Sequence, residues 1–244
     1  MAKNRKKVVL LIVEGESDET LLIDRLRELF KDHEIRFEPQ RGDILYDINK
    51  QGKPIKDTIG EIVKEVLIKR KFKQSDILAV IHIVDTDGCL IPEDNVLVDN
   101  QQEALTYYQN NCISVSTEAQ KNNILNRNDI RSRNIRTMNS VSSIVSNKYN
   151  YQMFYFSRNL EHVIFDDPNP SSETKVDNIE AFLDDLAIPL ERYLLQFMPD
   201  ADAESYNEQY IASWTFISQG INSLQRSTNV PLMFNFIELK TSEL

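Results

Sequence analysis

Cysteine is nearly absent: Cys89 and Cys112 are the only two, and neither stands in a C-x-x-C or Cys/His ligand spacing. A disulfide framework and a cysteine-based zinc site are therefore excluded, and a reducing cytoplasm is the expected setting. Glycine is missing where nucleotide folds need it. Neither G-x-G-x-x-G nor G-x-x-x-x-G-K-[ST] occurs, which removes the dinucleotide fingerprint and the P-loop. No apolar run is long enough to cross a bilayer. Residues Ala2 to Lys7 followed by Val8 to Val13 imitate the start of a signal peptide, but six apolar residues stopped by Glu14 are too few for its apolar region. Positive charge is also short. A formal net charge of -10 argues against a protein that coats nucleic acid with its whole surface.

The local charge pattern differs from the total. Between Ala119 and Asn150 the bases Lys121, Arg127, Arg131, Arg133, Arg136 and Lys148 face a single acid, Asp129. Arg127, Arg131, Arg133 and Arg136 are the candidate nucleic-acid contacts, with a merely solvated basic helix face as the equal alternative. From Asn159 onward acids dominate.

Lys7 to Val13 (KVVLLIV) and Ile77 to Val84 (ILAVIHIV) are continuous aliphatic runs, as expected for strands buried on both faces of a parallel sheet. Leu22, Leu26, Leu29 and Phe30 follow the first at helical spacing, with Ser17 as the expected N-cap and Asp18 and Glu19 near the positive helix end. Ile35 and Phe37 mark a second strand, Arg41 to Pro54 a loop, and Ile59 to Leu67 an amphipathic helix. Tyr151 to Phe156 predicts a further strand, followed by helices around Val176–Leu186, Pro189–Phe197, Glu204–Leu224 and Pro231–Leu239. The order strand, helix, strand, helix, strand predicts an α/β fold with a parallel sheet. Residues 1–90 and 150–166 form its core, 91–149 a mainly helical, basic insertion, and 167–244 an acidic helical flank. His82 is expected as a hydrogen-bonded core residue, His33 at the surface and His162 in a structural role. Trp214 and Tyr210 are expected to pack the helical flank.

Ligands of such sheets gather beyond the carboxyl ends of the strands. Glu14 ends the first strand there, and Asp85 and Asp87 end a later one. Two like charges about 4 Å apart repel by roughly 4 kcal/mol at an effective dielectric near 20, so a neutralising cation is expected. All-oxygen ligands favour Mg²⁺, then Mn²⁺. Such an ion can orient a phosphate and activate water. Glu16 and Glu19 have the simpler explanation of complementing the helix dipole.

Val13-Glu14-Gly15-Glu16-Ser17-Asp18, paired with Ile83-Val84-Asp85-Thr86-Asp87-Gly88 about seventy residues later, resembles the two signature motifs of the TOPRIM family. That family includes the topoisomerase and primase catalytic domains, RecR-type repair proteins and the OLD and RloB/AbiL-like nucleases. Ser157-Arg158-Asn159-Leu160-Glu161 is similar to the S-N-P-x-x-E element of the last group, with Leu160 where that element has proline. Ser227-Thr228-Asn229 is similar to its C-terminal end. The resemblance implies a TOPRIM (Rossmann-like) core, with Glu14 as metal ligand or general acid–base and Asp85 and Asp87 as metal ligands. Asp18 is its candidate second-metal ligand, although Ser17-Asp18 replaces the Thr-Glu of the E-G-x-T-E form. Glu161, Ser157 and Asn159 are accessory candidates.

The expected activity is Mg²⁺- or Mn²⁺-dependent hydrolysis of DNA or RNA, as the effector of a phage-defence system in the branch most resembled. The alternative is a non-cleaving module that binds nucleic acid or an ATPase partner, and self-association is a further candidate. A receiver-like phosphoacceptor fits less well, since Lys and Thr/Ser partners at later strand ends are not evident. Strand passage has no room in 244 residues, and priming lacks a zinc-binding region.

Overall fold

The computed structural model describes residues 7–31, 35–46, 52–171, 173–200 and 202–243. His33 and part of the 41–54 loop lie outside the described residues.

The aliphatic runs form β1 (Lys7–Val13) and β3 (Ile77–Asp85), neighbours at the centre of a five-stranded sheet. β2 (Ile35–Arg41) pairs with the other side of β1, and β8 (Tyr149–Phe156) with the other side of β3. These four strands are parallel, while the short β7 (Ser143–Ile144) closes the edge antiparallel to β8. The protein thus has an α/β fold with a largely parallel, mixed sheet. Val8 to Val13 and Ala79 to Ile81 are essentially inaccessible to solvent, which explains why neither run alternates in polarity.

The helices α1 (Glu16–Leu29) and α2 (Ile55–Arg70) follow β1 and β2. Ser17 does not cap α1. Gly15 takes the N-cap position, and Asp18 Oδ2 accepts its backbone N–H at 2.8 Å, so the carboxylate one turn in does the capping. Beyond β3, the 91–149 segment is less helical than expected. It begins with a three-stranded sheet of β4 (Val96–Val98), β5 (Thr106–Tyr108) and β6 (Ile113–Val115), in the order β4-β6-β5. Strands of three residues are too short to show a period. The 21-residue α3 (Glu118–Met138) follows, N-capped by Thr117, whose side chain accepts from Gln120 N–H.

After β8 come α4 (Leu160–Phe165), α5 (Lys175–Asp185), α6 (Leu190–Leu195), α7 (Tyr206–Ile217) and α8 (Pro231–Ser242). The helix expected over Glu204–Leu224 ends early, at Ile217. Gly220 lies in the left-handed region at φ 51°, and a short 3₁₀ turn, Asn222–Leu224, follows. α5 packs on α1 and α8 against β3. Trp214 and Tyr210 are buried and meet Tyr155 and Phe154 edge-on, as expected for the flank.

The β8 edge beyond β7 needs partners for its backbone groups. Tyr210 Oη donates to Met153 O at 2.9 Å, and Asn229 Oδ1 accepts from Tyr155 N at 2.7 Å. Thr228 Oγ1 donates to Tyr155 O at 2.6 Å, and Ser227 and Ser157 complete the seam. The C-terminal Ser227-Thr228-Asn229 segment is therefore a seal on the sheet edge. Among the described residues, no helix is long and apolar enough to cross a membrane.

Candidate functional site

The parallel register puts the ends of β1, β2, β3 and β8 at one sheet edge. Gly42 N–H donates to Val13 O at 3.0 Å, so the loop carrying Asp43 leaves beside Glu14. The β3 and β8 exits are laced together. Thr86 N–H donates to Phe156 O at 3.0 Å, Asp87 N–H to Arg158 O at 2.8 Å, and Arg158 N–H to Thr86 Oγ1 at 2.8 Å. Asp87 and Gly88 then turn with φ of 48° and 63°, which aims the Asp87 carboxylate back towards the sheet edge.

One guanidinium joins three of these loops. Arg131, on α3, donates through Nη1 to Asp43 Oδ2 at 2.6 Å and through Nη2 to Glu14 Oε1 at 2.7 Å. Nη2 also reaches Asp85 O at 2.6 Å and lies 3.4 Å from Asp87 Oδ2. Arg131 is 0% exposed. The sequence offers it as a nucleic-acid contact or as part of a solvated basic face, and the structure places it inside the acidic site instead. Arg127 is half-buried beside it, donating to Tyr108 Oη and to Asp87 O, both at 2.9 Å. Only Arg133 and Arg136 of the expected set face solvent, Arg133 with Asp129 at 3.1 Å.

On the other side of Glu14 and Asp85 lies a cavity of about 370 Å³, whose lining includes Asp18, Glu161 and Lys175. Asp18 and Glu161 are buried, and Lys175 Nζ stands 3.3 Å from Glu161 Oε2. Asp85 Oδ1 is buried with no hydrogen-bond partner. Ser157 and Asn159 do other work. Ser157 Oγ accepts Ser227 N–H at 2.8 Å, and Asn159 N-caps α4 by accepting His162 N–H at 2.7 Å.

Crowding of carboxylates in a buried place shows in their proton affinities. Burial pushes Glu14 up to about 8, with Asp87, Asp43 and Asp18 adding to the rise and Arg131 opposing it. Burial raises Asp18 to about 6, against the Gly15 hydrogen bond. Asp85 rises well above the carboxylate range, from burial and then from Asp18, Glu14 and Asp87. Burial disfavours a charged Arg131, but Glu14, Asp87 and Asp43 outweigh it and hold the guanidinium firmly protonated. The two described histidines stay neutral. His82, hydrogen-bonded through Nδ1 to Tyr151 Oη at 2.9 Å, is lowered to about 3 by burial and Arg131, and His162 to about 4 by burial and Arg158.

Oxygen donors and an unsatisfied buried carboxylate oxygen suit a hard divalent ion in kind. In this arrangement, however, no group of three or more His, Cys, Asp and Glu among the described residues is set to hold one. The carboxylates are divided between Arg131 and the cavity. Asp43 and Lys175 were not singled out in the sequence. Asp43 has one available signal, its place two residues past β2 at the same sheet edge, whereas an isolated lysine opening an acidic helix has none.

Fold and site together define an α/β protein with an acidic centre at the carboxyl edge of its sheet. No protein-family model, curated protein or solved structure matches the chain.

Proposed function

We propose that the chain is a TOPRIM-type, Mg²⁺- or Mn²⁺-dependent nuclease that hydrolyses nucleic-acid phosphodiesters, in the phage-defence role that the motif resemblance implies. The observation that carries the reading is the meeting of Glu14, Asp18, Asp85 and Asp87 at one sheet edge, with Asp85 Oδ1 buried and unpartnered. Asp85, Asp18 and Glu14, which line the cavity, are the residues that would hold the ion, with Asp87 joining them only if Arg131 releases it. When bound, it would supply charge for the phosphate oxygens and a more acidic water.

The chain's own groups do the rest. Glu14, with Oε1 held by Arg131, serves either as one of those ligands or as the general acid–base group, the two roles the resemblance implies. Thr86 locks the Asp85–Asp87 turn to the β8 exit and so orients both aspartates. Arg133 and Arg136, exposed on the outer side of α3, offer phosphate contacts on the helix that carries Arg131.

The test is cleavage of labelled DNA and RNA with Mg²⁺ or Mn²⁺. Activity is expected to vanish with EDTA and in Asp85→Ala and Glu14→Ala. Undiminished cleavage by the Glu14→Ala/Asp85→Ala double variant sinks the reading. One observation favours a second reading, a module that binds nucleic acid or an ATPase partner without cutting: Arg131 and Lys175 already neutralise part of the acidic cluster. Salt-dependent binding with no cleavage under either ion supports that reading.

A further inference from the structure

We infer that Arg131 is the resident cation of the acidic site and that a divalent ion must contest its place; the inference rests on the reading that this site takes such an ion. Glu14, Asp43 and Asp87 leave the sheet in three different loops, and each is within 3.4 Å of one guanidinium. A further bond to Asp85 O ties that guanidinium to the end of β3 itself.

The contacts are not those of a surface ion pair. The Arg131 side chain is 1% exposed, against 15% for Glu14, 32% for Asp87 and 42% for Asp43. The cation is the innermost member of the cluster and the carboxylates close over it. Its Nε is buried without a partner. A guanidinium fitted for its hydrogen bonds alone would not leave a donor unmet, since an unmet buried donor is costly. Its location is explained by charge, as the position from which one cation reaches three carboxylates.

A divalent ion brings twice the charge to the same oxygens and repels the guanidinium at close range. Binding at Glu14 and Asp87 therefore requires Arg131 to withdraw, or confines the ion to the cavity side, at Asp85, Asp18 and Glu161. Either way Arg131 weakens ion binding and makes the folded chain independent of metal.

The experiment is calorimetric titration of chelator-treated full-length protein with Mn²⁺, comparing wild type, Arg131→Gln and Arg131→Lys, with melting temperatures measured with and without Mn²⁺. Arg131→Gln is expected to bind Mn²⁺ about tenfold or more tightly than wild type, because a repelling charge is gone. Its melting temperature should fall without the ion and recover with it. Arg131→Lys, which keeps the charge but not the fork that spans Asp43 and Glu14, should bind Mn²⁺ as weakly as wild type while melting at a lower temperature. Equal or weaker Mn²⁺ binding by Arg131→Gln overturns the inference and leaves the metal reading standing. No binding by any of the three proteins overturns both. If Arg131→Gln cannot fold alone, refolding in Mn²⁺ decides: recovery supports the inference, and failure to recover refutes it, because the ion then cannot take the guanidinium's place.

Discussion

Asp18→Asn should make the ion-free protein more stable, and only above a defined pH. Asp18 is 5% exposed and its carboxyl is raised from 3.8 to about 6. Between those values the folded chain keeps a proton that the unfolded chain has released. Stability from this group is therefore complete below the unfolded value, falls as pH rises to about 6, and stays low above it. At about 1.4 kcal/mol per pH unit, the loss is about 3 kcal/mol. Asparagine carries no charge and escapes it. Its amide oxygen still accepts the Gly15 N–H, and the advantage of a charged acceptor there is already contained in the value of about 6. The net gain is therefore about 3 kcal/mol at pH 7 to 8, shrinking to a few tenths of a kcal/mol near pH 4. His82 and His162, held near 3 and 4, lose stability in the opposite direction as pH falls below their ordinary value. They contribute equally to both proteins and cancel in the difference. Urea titrations followed by the fluorescence of Trp214, the one tryptophan and a buried one, measure it directly. A variant no more stable than wild type at pH 8, or a gain that is the same at pH 4.5 and pH 8, would refute the argument that burial, with Glu161 adding to it, penalises the Asp18 carboxylate.

Gly88→Ala should cost about 2–4 kcal/mol, since a Cβ would sit 2.6 Å from Leu224 Cδ2 on a residue with φ of 63°. The same urea assay reads it, and a neutral result would mean the Asp87 turn is not held as described. Tyr151→Phe strips the buried His82 ring of its partner and should cost about 1–3 kcal/mol without introducing a histidine titration between pH 5 and 8, as proton NMR of the imidazoles would show. Asn229→Ala leaves Tyr155 N–H unmet on the sealed edge of β8 and should cost about 1–3 kcal/mol, visible as faster hydrogen exchange at Tyr155.

The sequence alone determined the sheet's central strands and the position of the first acids. Runs such as Val8–Val13 and Ile77–Val84 are short, rich in β-branched residues and apolar on both faces, as a strand covered on both sides requires. Glu14 and Asp85 end those runs, so their common edge followed from the parallel order. What surrounds them depended on tertiary structure. Arg131 lies 117 residues from Glu14 and 88 from Asp43, and nothing local distinguishes it from Arg133, which points to solvent. The packing of α3 against α2, β4 and β6 decides which of the two is buried. Lys175 and the Ser227–Asn229 seal likewise come from distant segments. Charge repulsion called for a cation among the carboxylates, expected as Mg²⁺ or Mn²⁺. That a guanidinium of the chain already stands there is a consequence of the fold, because local pattern carries no record of which distant side chain the packing brings in.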